Sequence, residues 1–117
     1  MKKILLVEDE KPLCLLYEEE LGAEGYAVTS VHDADSALAA LRTGTFDLII
    51  TDIRMPGKDG VELISRIMGT RKDIPLIINT AYQSYKQDFM TWAADAYVVK
   101  SSSLVELKAK IRDLLNR

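Results

Sequence analysis

The chain has 117 residues, with 15 basic against 18 acidic side chains and a net charge of −3. That is the length of one domain, expected over residues 1–117, and it lacks the basic surplus of a nucleic-acid binder. Apolar residues at 48% and charged residues at 28% suffice for a buried core and exclude a disordered tail. The longest uninterrupted apolar run, Ile4–Val7, is far shorter than the roughly 20 residues that span a bilayer, and no signal peptide precedes it. A soluble, cytoplasmic protein that touches neither membrane nor nucleic acid is expected. The lone Cys14 excludes an internal disulfide and a multi-cysteine zinc centre, and reads as a small apolar residue on a helix.

In chain order, a β-rich run at Lys3–Val7 leads to a helical pattern over Pro12–Leu21. Leu13, Leu16, Tyr17 and Leu21 make up its apolar face, and Gly22 or Gly25 stops it. A second run, Tyr26–Val31, precedes a helix over Asp35–Arg42 that ends before Gly44. A third run, Phe46–Thr51, is followed by a helix that starts at Asp59, with Glu62 completing a capping box, and buries Val61, Ile64, Ile67 and Met68. After a fourth run at Leu76–Asn79 comes a helical pattern over Ser84–Ala93 with Tyr85, Phe89 and Trp92 on one face, read as packing on the sheet. The last pair is a run at Ala96–Val99 and a helix opened by a Ser103/Glu106 box. Strands that are almost wholly apolar, such as Ile4-Leu-Leu-Val7 and Leu48-Ile-Ile50, are those covered on both faces in a parallel sheet. Five βα units with right-handed crossovers then give a doubly wound open α/β sheet, whose ligand site lies beyond the carboxyl ends of the strands at the topological switch point.

The polar residues at those strand ends are therefore the candidates. Strand 1 ends in Glu8-Asp9-Glu10, strand 3 in Thr51-Asp52, strand 4 in Asn79-Thr80 and strand 5 in Val99-Lys100. With a strand order of 2-1-3-4-5, Glu8 and Asp9 stand beside Asp52, and three carboxylates share one shallow pocket. Like charges that close call for a hard cation with oxygen ligands, and Mg2+ fits because it accepts two carboxylates and keeps water or phosphate oxygens elsewhere. Lys100 and Thr80 add an ammonium and a hydroxyl. A carboxylate nucleophile, Mg2+, an ammonium and a hydroxyl suit transfer of a phosphoryl group to aspartate, where catalysis is mostly positioning and charge neutralisation. The one histidine, His32, ends strand 2 and reads as a surface residue.

The motifs Lys3-Ile-Leu-Leu-Val-Glu-Asp-Glu10, Asp47-Leu-Ile-Ile-Thr-Asp-Ile-Arg-Met-Pro-Gly57 with Asp59-Gly60, Thr80-Ala81 and Tyr97-Val-Val-Lys100 occur in this order along the whole chain. They resemble the receiver domain of two-component response regulators, a flavodoxin-like (βα)5 fold. The resemblance implies that Asp52 is the phosphoacceptor. It also implies that Asp9, Asp52 and the backbone carbonyl of Arg54 bind Mg2+ with help from Glu8 through a water, and that Lys100 pairs with a phosphoryl oxygen. Thr80 and the Ala81 amide would hold the phosphate, and Tyr97 would turn inward as the loop after strand 4 moves. The implied partner is a histidine kinase or phosphotransfer protein. The face of the fourth helical pattern, strand 5 and the last helix would change shape to meet an output domain, a partner protein or a second copy. Such a domain catalyses its own modification and slow hydrolysis but is not a turnover enzyme.

Two departures from the family's pattern stand out, Ser101 after Lys100 and Ala93 where a glycine commonly precedes the Ala-Asp pair, which implies a helix end made without a left-handed glycine. Serine, not proline, follows Lys100, and since a cis bond there would cost about 2.5–4 kcal/mol, a trans bond is expected. Arg54 and Tyr82 occupy the positions that tune hydrolysis in relatives, with Tyr82 expected to shield the acyl phosphate. The alternative reading is a pseudo-receiver that binds proteins without phosphate transfer. A phosphohydrolase with an aspartate nucleophile would want a second aspartate where Arg54 stands, and a flavodoxin proper would not place Glu8-Asp9-Glu10 against a phosphate. With five βα units filling the length, no room for an output domain is expected within these 117 residues.

Overall fold

A computed structural model describes residues 1–53, 60–70, 73–81 and 94–116. The Asp59 cap, the Arg54 carbonyl, Tyr82 and the Ser84–Ala93 pattern lie outside the described residues. The elements are β1 (Lys3–Val7), α1 (Lys11–Ala23), β2 (Ala27–Val31), α2 (Ala34–Thr43), β3 (Leu48–Thr51), α3 (Gly60–Thr70), β4 (Leu76–Thr80), β5 (Ala96–Val99) and α4 (Val105–Leu115). The five strands form one parallel sheet in the expected order, β2-β1-β3-β4-β5.

Alternation along the strands divides the core in two. Leu5 and Val7 of β1, Ile49 of β3 and Ile78 of β4 face a cluster with Ala37 and Leu41 of α2 and Leu63, Ile64 and Ile67 of α3. Ile4, Leu6, Leu48, Ile50 and Ile77 face the other way, onto Cys14, Tyr17 and Leu21 of α1 and Leu107, Ile111 and Leu114 of α4. Because both faces are covered, the central strands have no polar face to show.

Two aspartates pin the edge of the sheet opposite the candidate site. Asp47, just before β3, accepts from the Lys3 amide at 2.7 Å and returns its own amide to the Lys3 carbonyl at 2.7 Å. Asp95, just before β5, does the same with Leu76, with both bonds at 2.8 Å. Each pair fixes where two neighbouring strands begin. The register that results aligns Val7 with Thr51 and Thr80 with Val99, so the next residues, Glu8, Asp52, Ala81 and Lys100, leave the sheet at one edge.

Helix ends follow local chemistry. Asp33 caps α2 by accepting from the Ser36 amide at 2.7 Å, and Gly44 closes it by donating to the Ala40 carbonyl. The chain runs on through Gly22 and turns into β2 at Gly25, whose φ of 95° needs a residue without a β-carbon. The expected box on the last helix does not form: Ser103 accepts from the Val105 amide at 3.3 Å and shares a turn with the Ser101 hydroxyl, so Leu104 stands at the cap. The face of α1 is also rotated from the expected one. Cys14, Tyr17 and Leu21 form the buried stripe, while Leu16 is 42% exposed. Spacings of three and four make Cys14 the first residue of that stripe. Among the described side chains of α3, Leu63, Ile64 and Ile67 are buried and Met68 is half-buried, while the expected burial of Val61 lies outside the described side chains.

Candidate functional site

The site begins where β1, β3, β4 and β5 end. Each backbone keeps the sheet's hydrogen bonding for one more residue: Asp52 donates its amide to the Val7 carbonyl at 3.3 Å, and Lys100 donates to the Thr80 carbonyl at 2.7 Å. Those bonds fix the ends of β3 and β5, which stand on either side of β4, so the Lys100 side chain reaches across the end of β4 to the acidic residues. The Lys100 ammonium lies 2.7 Å from Glu8 Oε1 and 2.7 Å from Asp52 Oδ2, so one cation bridges two carboxylates that are almost fully buried. Among the described residues no peptide bond is cis, so Lys100–Ser101 is trans as expected.

Glu8 also accepts the Glu10 amide through Oε2 at 3.2 Å, which aims its carboxylate inward. Burial pushes the Glu8 carboxyl above its ordinary range and the adjacent Asp9 carboxyl adds to this, with Lys100 and the Glu10 amide opposing. Burial alone would lower the Lys100 ammonium, but its hydrogen bonds to Asp52 and Glu8 raise it well above the ordinary lysine range. It is therefore charged throughout the physiological range.

Thr80 is fully buried at the end of β4, and its Oγ1 has no hydrogen-bond partner among the described residues. A buried hydroxyl in that state costs stability unless a ligand completes it. Ala81 is exposed beside it. Tyr97 is buried among Leu76, Ile78 and Ala94, so its ring already stands inward. Asp9 is half-buried at the rim, its carboxyl next to that of Glu8.

These residues fit a magnesium ion. Two buried carboxylates and a rim aspartate leave net negative charge beside one ammonium, and an orphan hydroxyl stands at the same edge. Among the described residues no three His, Cys, Asp or Glu side chains form a cage for a metal. Magnesium does not need one, because it binds through one or two carboxylates and keeps water or phosphate oxygens.

Two groups of polar residues went unread in the sequence. Asn79 donates its side-chain amide to the Tyr17 hydroxyl at 3.0 Å, a fully buried bond between β4 and α1. Burial raises the Tyr17 phenol. His32 is half-buried, and its Nδ1 lies 3.0 Å from the Glu8 carbonyl, which also accepts from Cys14 Sγ at 3.3 Å. The reading of His32 as a surface residue is corrected: strand pairing between β1 and β2 carries it onto the first turn of α1. Polarity at position 79 inside an apolar strand was the available signal for the first group. The second had none, because its members stand on three different elements.

A family model described as "Response regulator receiver domain" matches residues 4–112. The response regulator ArlR of Staphylococcus saprophyticus is 36% identical over 118 residues, covering 100% of this chain and 54% of its own length. The chain spans about half the length of the curated relatives it matches. Among solved structures, the response regulator TrrA of Thermotoga maritima, in complex with Mg(2+)-BeF, superposes with a TM-score of 0.91 at 44% identity. That match covers 97% of this chain and 99% of TrrA. TrrA in complex with the histidine kinase ThkA gives a TM-score of 0.90 at 44% identity, covering 98% and 99%. No helix among the described residues is long and apolar enough to cross a membrane.

Proposed function

Since the chain belongs to the response regulator receiver family, we propose that it accepts a phosphoryl group on Asp52 from a histidine kinase or phosphotransfer protein, and relays the change as altered protein docking. The observation that carries this reading is the Lys100 ammonium bridging Glu8 and Asp52 at 2.7 Å each, at the same sheet edge as the orphan Thr80 hydroxyl. A carboxylate oxygen of Asp52 attacks phosphorus in line. The bond from phosphorus to the donor's imidazole nitrogen breaks, and its electron pair leaves with the imidazole. Lys100 follows the charge from the carboxylate to a phosphoryl oxygen, and the Thr80 hydroxyl and Ala81 amide supply hydrogen bonds to the others.

Asp9, Asp52 and the backbone carbonyl of Arg54 would hold Mg2+, with Glu8 reaching it through a water. When bound, the ion neutralises charge on the phosphoryl oxygens. The Mg(2+)-BeF complex of TrrA and its complex with the kinase ThkA support both the cofactor and the class of donor. Thr80 and Lys100 bind the phosphoryl oxygens in one arrangement of the loop after β4, so phosphorylation shifts a two-state equilibrium. Its output face includes β5 and α4, for an output domain, a partner or a second copy of the chain. The domain promotes its own modification and slow hydrolysis, without turning over a diffusible product.

Intact-mass analysis after incubation with Mg2+ and acetyl phosphate tests this. One phosphoryl adduct is expected on the wild type and none on Asp52→Asn. A wild type without the adduct, or an undiminished adduct on Asp52→Asn, overturns the reading in favour of a phosphorylation-independent binding module.

A further inference from the structure

Asn79 and Tyr17 are 3% and 2% exposed, and the Asn79 side-chain amide donates to the Tyr17 hydroxyl at 3.0 Å. Neither takes part in the transfer itself. Tyr17 stands on α1, which starts at Lys11 directly after the acidic turn Glu8-Asp9-Glu10, and Asn79 immediately precedes Thr80 on β4. On the reading of Asp52 as phosphoacceptor, we infer that Tyr17 and Asn79 are positioning residues for phosphoryl transfer. Their bond fixes the span from the acidic turn to the Thr80 hydroxyl, across Asp52.

The topology leaves that span otherwise open. β1 and β4 are not neighbours, because β3, which Asp52 follows, stands between them. Backbone pairing sets the acidic turn against Asp52 and Asp52 against Thr80, with no ladder joining the two outer members. Asn79, two residues after Ile77, shares its face of the sheet, which is the face covered by α1. From there the Tyr17–Asn79 bond links α1 to β4 past β3. The Lys100 ammonium reaches Glu8 and Asp52 at 2.7 Å each, but it passes to a phosphoryl oxygen during the transfer and its hold on the carboxylates is released. The neutral bond behind the pocket stays closed through the same step.

Energetics separates this role from packing alone. A buried polar pair replaced by apolar groups of the same shape is nearly neutral or even stabilising. The surroundings on this face, Ile4, Leu6, Ile50 and Ile77, are apolar, so a phenylalanine and a leucine would serve stability as well. What the polar pair adds is a fixed separation, since a hydrogen bond confines its ends to about 2.7–3.2 Å while apolar contacts allow sliding. The charges of Lys100, Glu8 and Asp52 all reach the Tyr17 phenol, so the tie ends close behind the reacting groups. A misplacement of about 1 Å there can cost roughly a hundredfold in rate.

Time-resolved intact-mass analysis of the full chain with acetyl phosphate, in saturating Mg2+, tests this on the Tyr17→Phe, Asn79→Leu double variant. That variant lacks the bond and leaves neither partner stranded. Its saturating rate of adduct formation should fall roughly tenfold, with the half-saturating acetyl phosphate concentration within about twofold of the wild type's. In a Thr80→Val background, where the tie has no hydroxyl to place, the same pair of substitutions should change the rate by less than about twofold. A wild-type rate in the double variant overturns the inference. So does an equal loss with and without the Thr80 hydroxyl, which would mark a general effect on packing. A wild type that forms no adduct overturns the phosphoacceptor reading and this inference with it, whereas an adduct on the wild type with either of the other results removes the inference alone. If circular dichroism shows the double variant unfolded, Tyr17→Phe, which removes a single oxygen, is compared in both backgrounds and decides.

Discussion

Replacing Lys100 with methionine keeps most of the stem and removes the ammonium. Glu8 and Asp52, whose side chains are 2% and 8% exposed, then lose the cation that lies 2.7 Å from each. Removing one partner from a buried ion pair costs about 3–5 kcal/mol. The Lys100 side chain is 16% exposed, so water screens part of the interaction and the lower end, about 3 kcal/mol, applies. For a domain of this size that lowers the melting temperature by roughly 10 °C. Urea unfolding followed by circular dichroism, in a chelating buffer and again in excess MgCl2, measures it. An ion present at a hundred times its Kd stabilises the folded state by about 2.7 kcal/mol. The variant, relieved of the competing ammonium, should gain more from Mg2+ than the wild type does, so the gap should narrow. Equal midpoints in chelator would refute the role of Lys100 as counter-charge. A gap that Mg2+ leaves unchanged would refute a shared cation site at these carboxylates.

Three further outcomes follow from the same geometry. The raised Glu8 carboxyl holds its proton to higher pH when folded than when unfolded, so its contribution to stability falls as pH rises from its ordinary value of 4.5 through the folded one. In metal-free buffer the wild type should therefore gain on Glu8→Gln between pH 7 and pH 5, and a flat difference in urea midpoints would contradict the assignment. Tyr17→Phe strands the buried Asn79 amide and should cost about 1–3 kcal/mol. The Tyr17→Phe, Asn79→Leu double variant should recover most of it, which thermal melts will show. Thr80→Val keeps the shape and removes an orphan hydroxyl, so the unphosphorylated protein should be at least as stable as the wild type. A clear drop in its melting temperature would mean that the hydroxyl already has a partner.

The sheet was legible because its central strands are buried on both faces, and runs such as Leu48-Ile-Ile50 have no other use in a chain this polar. Strand ends then located Glu8, Asp52, Thr80 and Lys100 without knowledge of their distances. Helix phase was less legible: Leu13 and Leu16 carry more apolar surface than Cys14, but β1 and β2 present their inner face to the stripe that begins at Cys14. The Ser103 box failed for a local reason, since Ser103 is already engaged in a turn with Ser101. The ammonium bridge itself could not be read, because Lys100 is 92 residues from Glu8 and ends a strand separated from β1 by two others in the sheet, so that only the reach of its side chain closes the contact.

The alternation of the sheet has a mechanical consequence at the end of β4. Asn79 points to one side, where Tyr17 of α1 holds it, and Thr80 points to the other. The two share one peptide unit, so a ligand bound at the Thr80 hydroxyl would act on a strand end whose preceding residue is already fixed to α1 by a buried hydrogen bond. The helix that follows the acidic turn is thereby tied to the strand bearing Thr80 from beneath the sheet edge, with no surface loop in between.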